Sequence, residues 1–223
     1  MSKKSYLFTS ESVSEGHPDK VCDRISDMVV DTYLSKEPLA RVACETLTTT
    51  NKVVLAGETR WPEIKKEDLI QKVRECIKDI GYEQKGFHWK NCSIDVHLHS
   101  QSTDIAMGVD TGGAGYQGRM FGYATNETPE LMPAPIQYAH ASTRQPTHAR
   151  KMGEVARLRP DGKSQVTVEY EDGRPLRIHT VVVSAQHSED VGHSEITNTP
   201  IEKVIKPVLP ETLVDDDCVF HIN

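Results

Sequence analysis

The sequence predicts an α+β protein in which β-sheets carry helices on one face. Runs with the two-residue period of strands come in pairs about short turns, at 40–48 with 52–58 and at 164–170 with 176–185. Stretches of helical period are interspersed with these pairs, after Pro18 and over 63–80, the pattern of packed α+β layers. The 223 residues suffice for one large domain or two small ones.

The first feature is the stretch Phe8-Thr-Ser-Glu-Ser-Val-Ser-Glu-Gly-His-Pro-Asp-Lys20, a loop handing over to a helix. Pro18 suits the first helical position, where its missing N–H would have no partner anyway. The free N–H groups of a helix start attract anions such as phosphate. His17 and Lys20 add donors there, and Asp19 adds an oxygen suited to magnesium on a nucleotide. Taken alone, these four residues fit equally an ordinary helix start with solvated charges. The helix that follows places Val21, Ile25, Met28, Val29 and Tyr33 on one face. Asp19, Asp23, Asp27 and Asp31 form an opposite, solvated stripe, in which only Asp19 lies at the mouth.

Two strands then flank the turn Thr50-Asn51, and a second helix over 63–80 carries Leu69, Val73, Ile77 and Ile80, with Gly81 past its end. Cys92, Ile94, Val96 and Leu98 alternate with Ser93, Asp95, His97 and His99, the period of a half-buried strand. That alternation makes metal binding by the two histidines the lesser reading. Residues 108–122 hold six of the fourteen glycines and lack the Lys-Ser/Thr ending of a P-loop, so they read as a lid. Val166, Val168 and Tyr170 share one strand face. Asp172-Gly173 turns the chain into the returning strand. Thr199, Pro200 and Glu202 form a capping box opening a helix through Val208, and 213–222 starts a last element.

Composition narrows the function classes. A net charge of −7 argues against a nucleic-acid partner. No apolar run approaches the ~20 residues of a membrane span, and no signal-peptide pattern opens the chain. Five cysteines, at 22, 44, 76, 92 and 218, show no paired metal spacing and fit free thiols in a reducing cytoplasm.

FTSESVSEGHPDK at 8–20 resembles the N-terminal signature of the S-adenosylmethionine synthetase (methionine adenosyltransferase) family. The likeness continues in ARVACET at 40–46, VVLAGE at 53–58, QSTDIAMGVD at 101–110 and QGRMFGYATNET at 117–128. It runs on through LMPAPI at 131–136, RPDGKSQVTVEY at 159–170, VVVSAQHSED at 181–190 and the terminal FHIN. The resemblance implies three interleaved α+β domains: residues 1–13 with 135–223 as an N-terminal domain, 14–107 as the central one, and 108–134 as an active-site loop beginning a third. It implies formation of S-adenosylmethionine from ATP and L-methionine, with Mg²⁺ and K⁺ as cofactors, by a homodimer or a tetramer made of two such dimers.

Residue by residue, the resemblance places His17 at the triphosphate near the bond being broken and Asp19 on magnesium. Lys163 is placed at the phosphates, with Asp161 on the adenosine side, although a lysine before a strand is more often a solvated charge and the assignment leans on the motif. Glu45 is placed at potassium, and Glu58 and Gln101 at the methionine ammonium and carboxylate. Burying Glu58 after an apolar strand requires a cationic partner, which a substrate ammonium supplies. His187 has a family counterpart without an assigned role. Val42, Cys44, Val54, Ile94 and Val96 are the expected dimer contact.

The chain departs from the family pattern at Tyr116, where a carboxylate is usual, at Arg119, and over 141–154, where Pro146 is expected to interrupt a helix. The family continues beyond the FHIN motif with further phosphate-binding lysines and arginines and a second magnesium aspartate. Two functions follow: a catalytic adenosyltransferase, or a non-catalytic oligomerisation module. On the first, the 223-residue chain by itself is expected to show no synthesis.

Overall fold

The computed structural model describes residues 4–101, 107, 110, 112, 119–155, 157–189 and 204–223. In chain order the elements are β1 (Ser5–Val13), α1 (Pro18–Leu34), β2 (Arg41–Thr49), β3 (Lys52–Arg60), α2 (Lys66–Ile80), β4 (Glu83–Gln84), β5 (Phe87–His88) and β6 (Ser93–Ser100). They continue with α3 (Ala134–Lys151), β7 (Leu158–Glu171), β8 (Arg174–His187) and β9 (Val219–Ile222), with short 3-10 turns at Lys206–Val208 and Glu211–Leu213. The α+β class stands. Two compact units form, one from the chain up to His17 together with Tyr123 onward, the other from Pro18 to Gly122.

The first unit is a four-stranded sheet in the order β1–β7–β8–β9. β1, β7 and β8 are antiparallel neighbours, and β9 runs parallel to β8. Asp172 and Gly173 both sit at positive φ (52° and 79°), as a two-residue hairpin turn requires. Helix α3 lies over β1 and β7, and the core between them holds Ala139, Val166, Val168, Tyr170, Ile178, Val181 and Val183. Tyr6 stacks on Tyr170 with ring centroids 5.1 Å apart, and Ser12 Oγ bonds His140 Nδ1 at 2.7 Å, so β1 is held from both neighbours.

Two features of this unit differ from the sequence expectation. β1 is a strand, although its polar Thr-Ser-Glu-Ser run carries little strand signal. It is an edge strand whose outward residues meet no core, so nothing demands apolar alternation. Helix α3 also continues through Pro146 instead of stopping before it. Pro146 is buried, so the packing of its ring offsets part of the cost of the helical bond to the Ser142 carbonyl that its missing N–H removes. The expected capping box at 199–202 lies outside the described residues.

The second unit is a three-stranded sheet ordered β2–β3–β6, with β2 antiparallel and β6 parallel to β3. Both α1 and α2 bury their apolar faces on one side of it. Val21, Ile25, Val29, Val53, Leu55, Leu69, Val73, Ile77 and Ile80 are almost fully buried there, each contributing roughly 1.5–3 kcal/mol of apolar burial. Helix α2 begins at Lys66 rather than 63, because Lys65 is still extended (ψ 141°) and Ile64 is spent as a core contact.

The register corrects the expected dimer contact. Val42, Cys44, Ile94 and Val96 lie on the helix side, packed against the core, while Val54 lies on the opposite, uncovered face. That face carries Ala43, Glu45, Leu47, Ala56, Glu58, Asp95, His97 and His99, with Leu47 58% exposed.

Candidate active site

In the first unit the chain brings three of the expected site residues together through one serine. Lys163 is the register partner of Val13 at the end of β1. Immediately beyond, the Ser14 amide donates to the Gly162 carbonyl at 2.8 Å and its hydroxyl to the Pro160 carbonyl at 2.8 Å. The Ser14 carbonyl in turn accepts the His17 amide at 3.1 Å. His17 is thereby tied to the Arg159–Lys163 segment across about 145 residues of sequence, while Lys163 itself stays exposed. Gly16 makes the close approach possible: a Cβ there would overlap the backbone of Pro160. Asp161 and Lys163 border an open cavity of about 340 Å³ with Ser184, Gln186 and His187. His187 donates from Nδ1 to the Ser188 carbonyl at 2.9 Å.

Glu15 was not singled out from the sequence. Its carboxylate pairs with Arg150 at 3.3 Å and Lys151 at 2.9 Å, all three largely or partly covered, so the signature is clamped to the end of α3. Its place between Ser14 and Gly16 within the signature was the available signal; its partners lie too far along the chain to be read.

In the second unit Glu45 and Glu58 share the uncovered sheet face as diagonal neighbours, since Glu45 faces Ala56 and Glu58 faces Ala43 across the β2–β3 ladder. Gly57 sets the approach of Glu58. Its φ of 141° and the overlap that a Cβ would make with the Ala43 carbonyl leave room for glycine alone. His99 Nε2 stands 3.6 Å from Glu58 Oε1 on the adjoining strand. The Lys52 ammonium on the same face holds the Asp95 carboxyl below its usual range.

Asp19 is exposed in the first turn of α1, and α1 packs on the other side of this sheet through Ser26–Thr46 and Cys22–Thr48 contacts of 2.7 and 3.2 Å. Within this unit, therefore, Asp19 is not brought beside Glu45 and Glu58. Gln101 follows β6, donating its amide to the Thr59 carbonyl at 3.1 Å. Its side-chain Oε1 is buried without a protein partner, beside a broad cavity shared with Arg60, Trp61 and His99. Burial pushes the Cys44 and Cys92 thiols up, away from nucleophilic chemistry. Tyr116 and most of the glycine-rich segment lie outside the described residues.

Among the described residues no three His, Cys, Asp or Glu side chains converge on a point that would hold a metal. Magnesium at phosphates is commonly held by one or two carboxylates together with phosphate oxygens, and an exposed single carboxylate such as Asp19 has the chemistry to take part.

The model of the S-adenosylmethionine synthetase N-terminal domain matches residues 5–103, and that of the central domain matches residues 111–223. The chain belongs to the S-adenosylmethionine synthetase family. An S-adenosylmethionine synthase of Pelagibacter ubique is 60% identical over 223 residues, covering 96% of this chain and 56% of that protein. Those of Methylobacterium radiotolerans and Rhodospirillum centenum are each 54% identical, covering the whole chain and 59% of theirs. The chain thus spans a little under three-fifths of the length of these synthetase relatives. Among the described residues no helix is long and apolar enough to cross a membrane.

Proposed function

We propose that this chain carries the nucleotide- and methionine-facing elements of a cytoplasmic methionine adenosyltransferase. The observation that carries the reading is the Ser14 link, which in a synthetase-family chain gathers His17, Asp161 and Lys163 at one end of the β1–β7 pair. In the reaction the methionine sulfur attacks C5′ of ATP. The S–C5′ bond forms as the C5′–O bond breaks, and the triphosphate leaves with that bonding pair. Water then cleaves the tripolyphosphate to pyrophosphate and phosphate. A thioether is a weak nucleophile, so the rate comes from alignment and from stabilising the leaving charge.

In this assignment His17 donates to the triphosphate beside the breaking bond, and Lys163 offsets charge further along it. Asp161 accepts from the adenosine. Glu58 binds the methionine ammonium, which relieves the cost of a partly covered carboxylate, and Gln101 meets the substrate carboxylate with its side-chain N–H groups as donors. Asp19 would hold Mg²⁺ and Glu45 K⁺; when bound, these ions neutralise phosphate charge and order the site. Residues 108–134 are assigned to the active-site loop and the start of a third domain. The placement of Glu45 and Glu58 on a sheet face turned away from Asp19 favours a homodimer, in which a second chain completes each site.

The test is calorimetric titration of the chain with magnesium tripolyphosphate and with ATP. Binding that weakens about tenfold or more in His17→Ala and in Lys163→Ala is expected. Absent or unaltered binding would return the chain to the non-catalytic module reading.

A further inference from the structure

Helix α3 presents an unusual concentration of unpaired polarity. Ser142 is completely buried, and its hydroxyl has no protein partner. Four residues on stands Pro146, which has no N–H to give to the Ser142 carbonyl, so a second buried oxygen of the same residue lacks its helical donor. Both residues line a cleft against the Pro160–Gly162 segment, and so does Asp161, whose Oδ1 is likewise buried without a partner. Four other polar side chains around this cleft are committed. Ser14 Oγ donates to Pro160, Thr143 Oγ1 to the His140 carbonyl, Thr147 Oγ1 to the Thr143 carbonyl, and Arg150 pairs with Glu15. The cleft offers about 20 Å³, room for one water molecule and for no metabolite.

We infer that a single buried water occupies this cleft and joins α3 to Asp161. The hydrogen-bond inventory balances: the water accepts from Ser142 Oγ–H and donates its two hydrogens to the Ser142 carbonyl and to Asp161 Oδ1. Three bonds is the usual complement of a buried water, and leaving Ser142 Oγ and Asp161 Oδ1 unpaired is the costly alternative. The same water explains how the helix passes through Pro146, since it replaces the donor that proline removed. It also makes Ser142 a positioning residue. One carboxylate oxygen of Asp161 is fixed from behind while the residue also borders the open cavity shared with Lys163. This last step rests on the reading of Asp161 as a nucleotide contact; the water itself does not.

The experiment is a high-resolution crystal structure of the chain with ¹⁷O magnetic relaxation dispersion in solution, on the parent, Ser142→Val and Pro146→Ala, with ATP titrated into each. One ordered water bonded to Ser142 Oγ, Ser142 O and Asp161 Oδ1 is expected in the parent. It should be expelled by Ser142→Val and lowered in occupancy by Pro146→Ala, which restores the helical donor and keeps the fold. The dissociation constant for ATP should rise about threefold to tenfold in Ser142→Val, the loss of one buried hydrogen bond. A parent cleft that is dry overturns the site. A water present in the parent with unchanged ATP affinity in Ser142→Val overturns the positioning role. If Asp161→Ala also leaves ATP binding unchanged, the nucleotide reading of Asp161 has failed, and the density alone decides the water.

Discussion

The amide of Ser14 donates to the carbonyl of Gly162 at 2.8 Å, and through it the two most characteristic stretches of the chain become one structure. The turn that carries His17 is thereby fixed on the segment that carries Asp161 and Lys163, before any ligand arrives. Preorganisation of this kind is what a reaction driven by electrostatic stabilisation of a leaving group requires.

Gly16→Ala should break that arrangement. The added methyl would enter the Pro160 backbone, and overpacking of this sort costs about 1–3 kcal/mol. Denaturant melts should show the loss of stability. Tripolyphosphate affinity measured well below the melting transition should fall further than in a surface control such as Arg174→Ala.

Asp19→Asn should weaken magnesium-dependent tripolyphosphate binding far more than Asp27→Asn. Both carboxylates are exposed on α1, but only Asp19 lies in the first turn, where the helix dipole and the free N–H groups favour an anion and its counter-ion. Equal effects in calorimetric titration would assign the whole acidic stripe to solvated surface.

Leu47→Asp should dissociate the proposed homodimer while leaving the fold intact, because Leu47 is 58% exposed on the uncovered sheet face. Val53→Asp, fully buried beneath the helices, should instead unfold the second unit. Light scattering and circular dichroism together separate the two outcomes, and a stable monomer in the parent at micromolar concentration would remove the dimer altogether.

Tyr170 donates to Glu127 Oε2 at 2.6 Å, and the same oxygen accepts the Ala134 amide at 3.0 Å at the start of α3. Burial, and then the Glu127 carboxylate, hold the Tyr170 phenol well above its ordinary value. The folded state therefore keeps a proton that the unfolded chain releases near pH 10. Stability from this group is fully present below that pH and is lost as pH rises beyond it. Tyr170→Phe should cost about 1.5–3 kcal/mol at neutral pH and flatten the alkaline fall seen in the parent. Thermal melts from neutral pH to beyond pH 10, parent against variant, provide the check.

The sequence by itself determined the α+β class, both hairpins, α1, α2 and β6, because each carries its own period and its own turn residues. It also determined the family, since the motifs are local strings. Tertiary structure alone decided the rest. A strand's alternation says that it has two faces but not which one the helices cover, so Val42, Cys44, Ile94 and Val96 proved to be core, and Glu45 and Glu58 shared the open side. The polar run of β1 became a strand only by pairing with β7, some 160 residues away, and Pro146 stays within the helix at a buried position that its local sequence does not announce. Partnerships such as Ser14 with Gly162 and Glu15 with Arg150 join residues whose separation leaves no local mark. Period and propensity act over a few neighbouring residues, whereas burial and hydrogen-bond satisfaction depend on what the whole chain brings alongside.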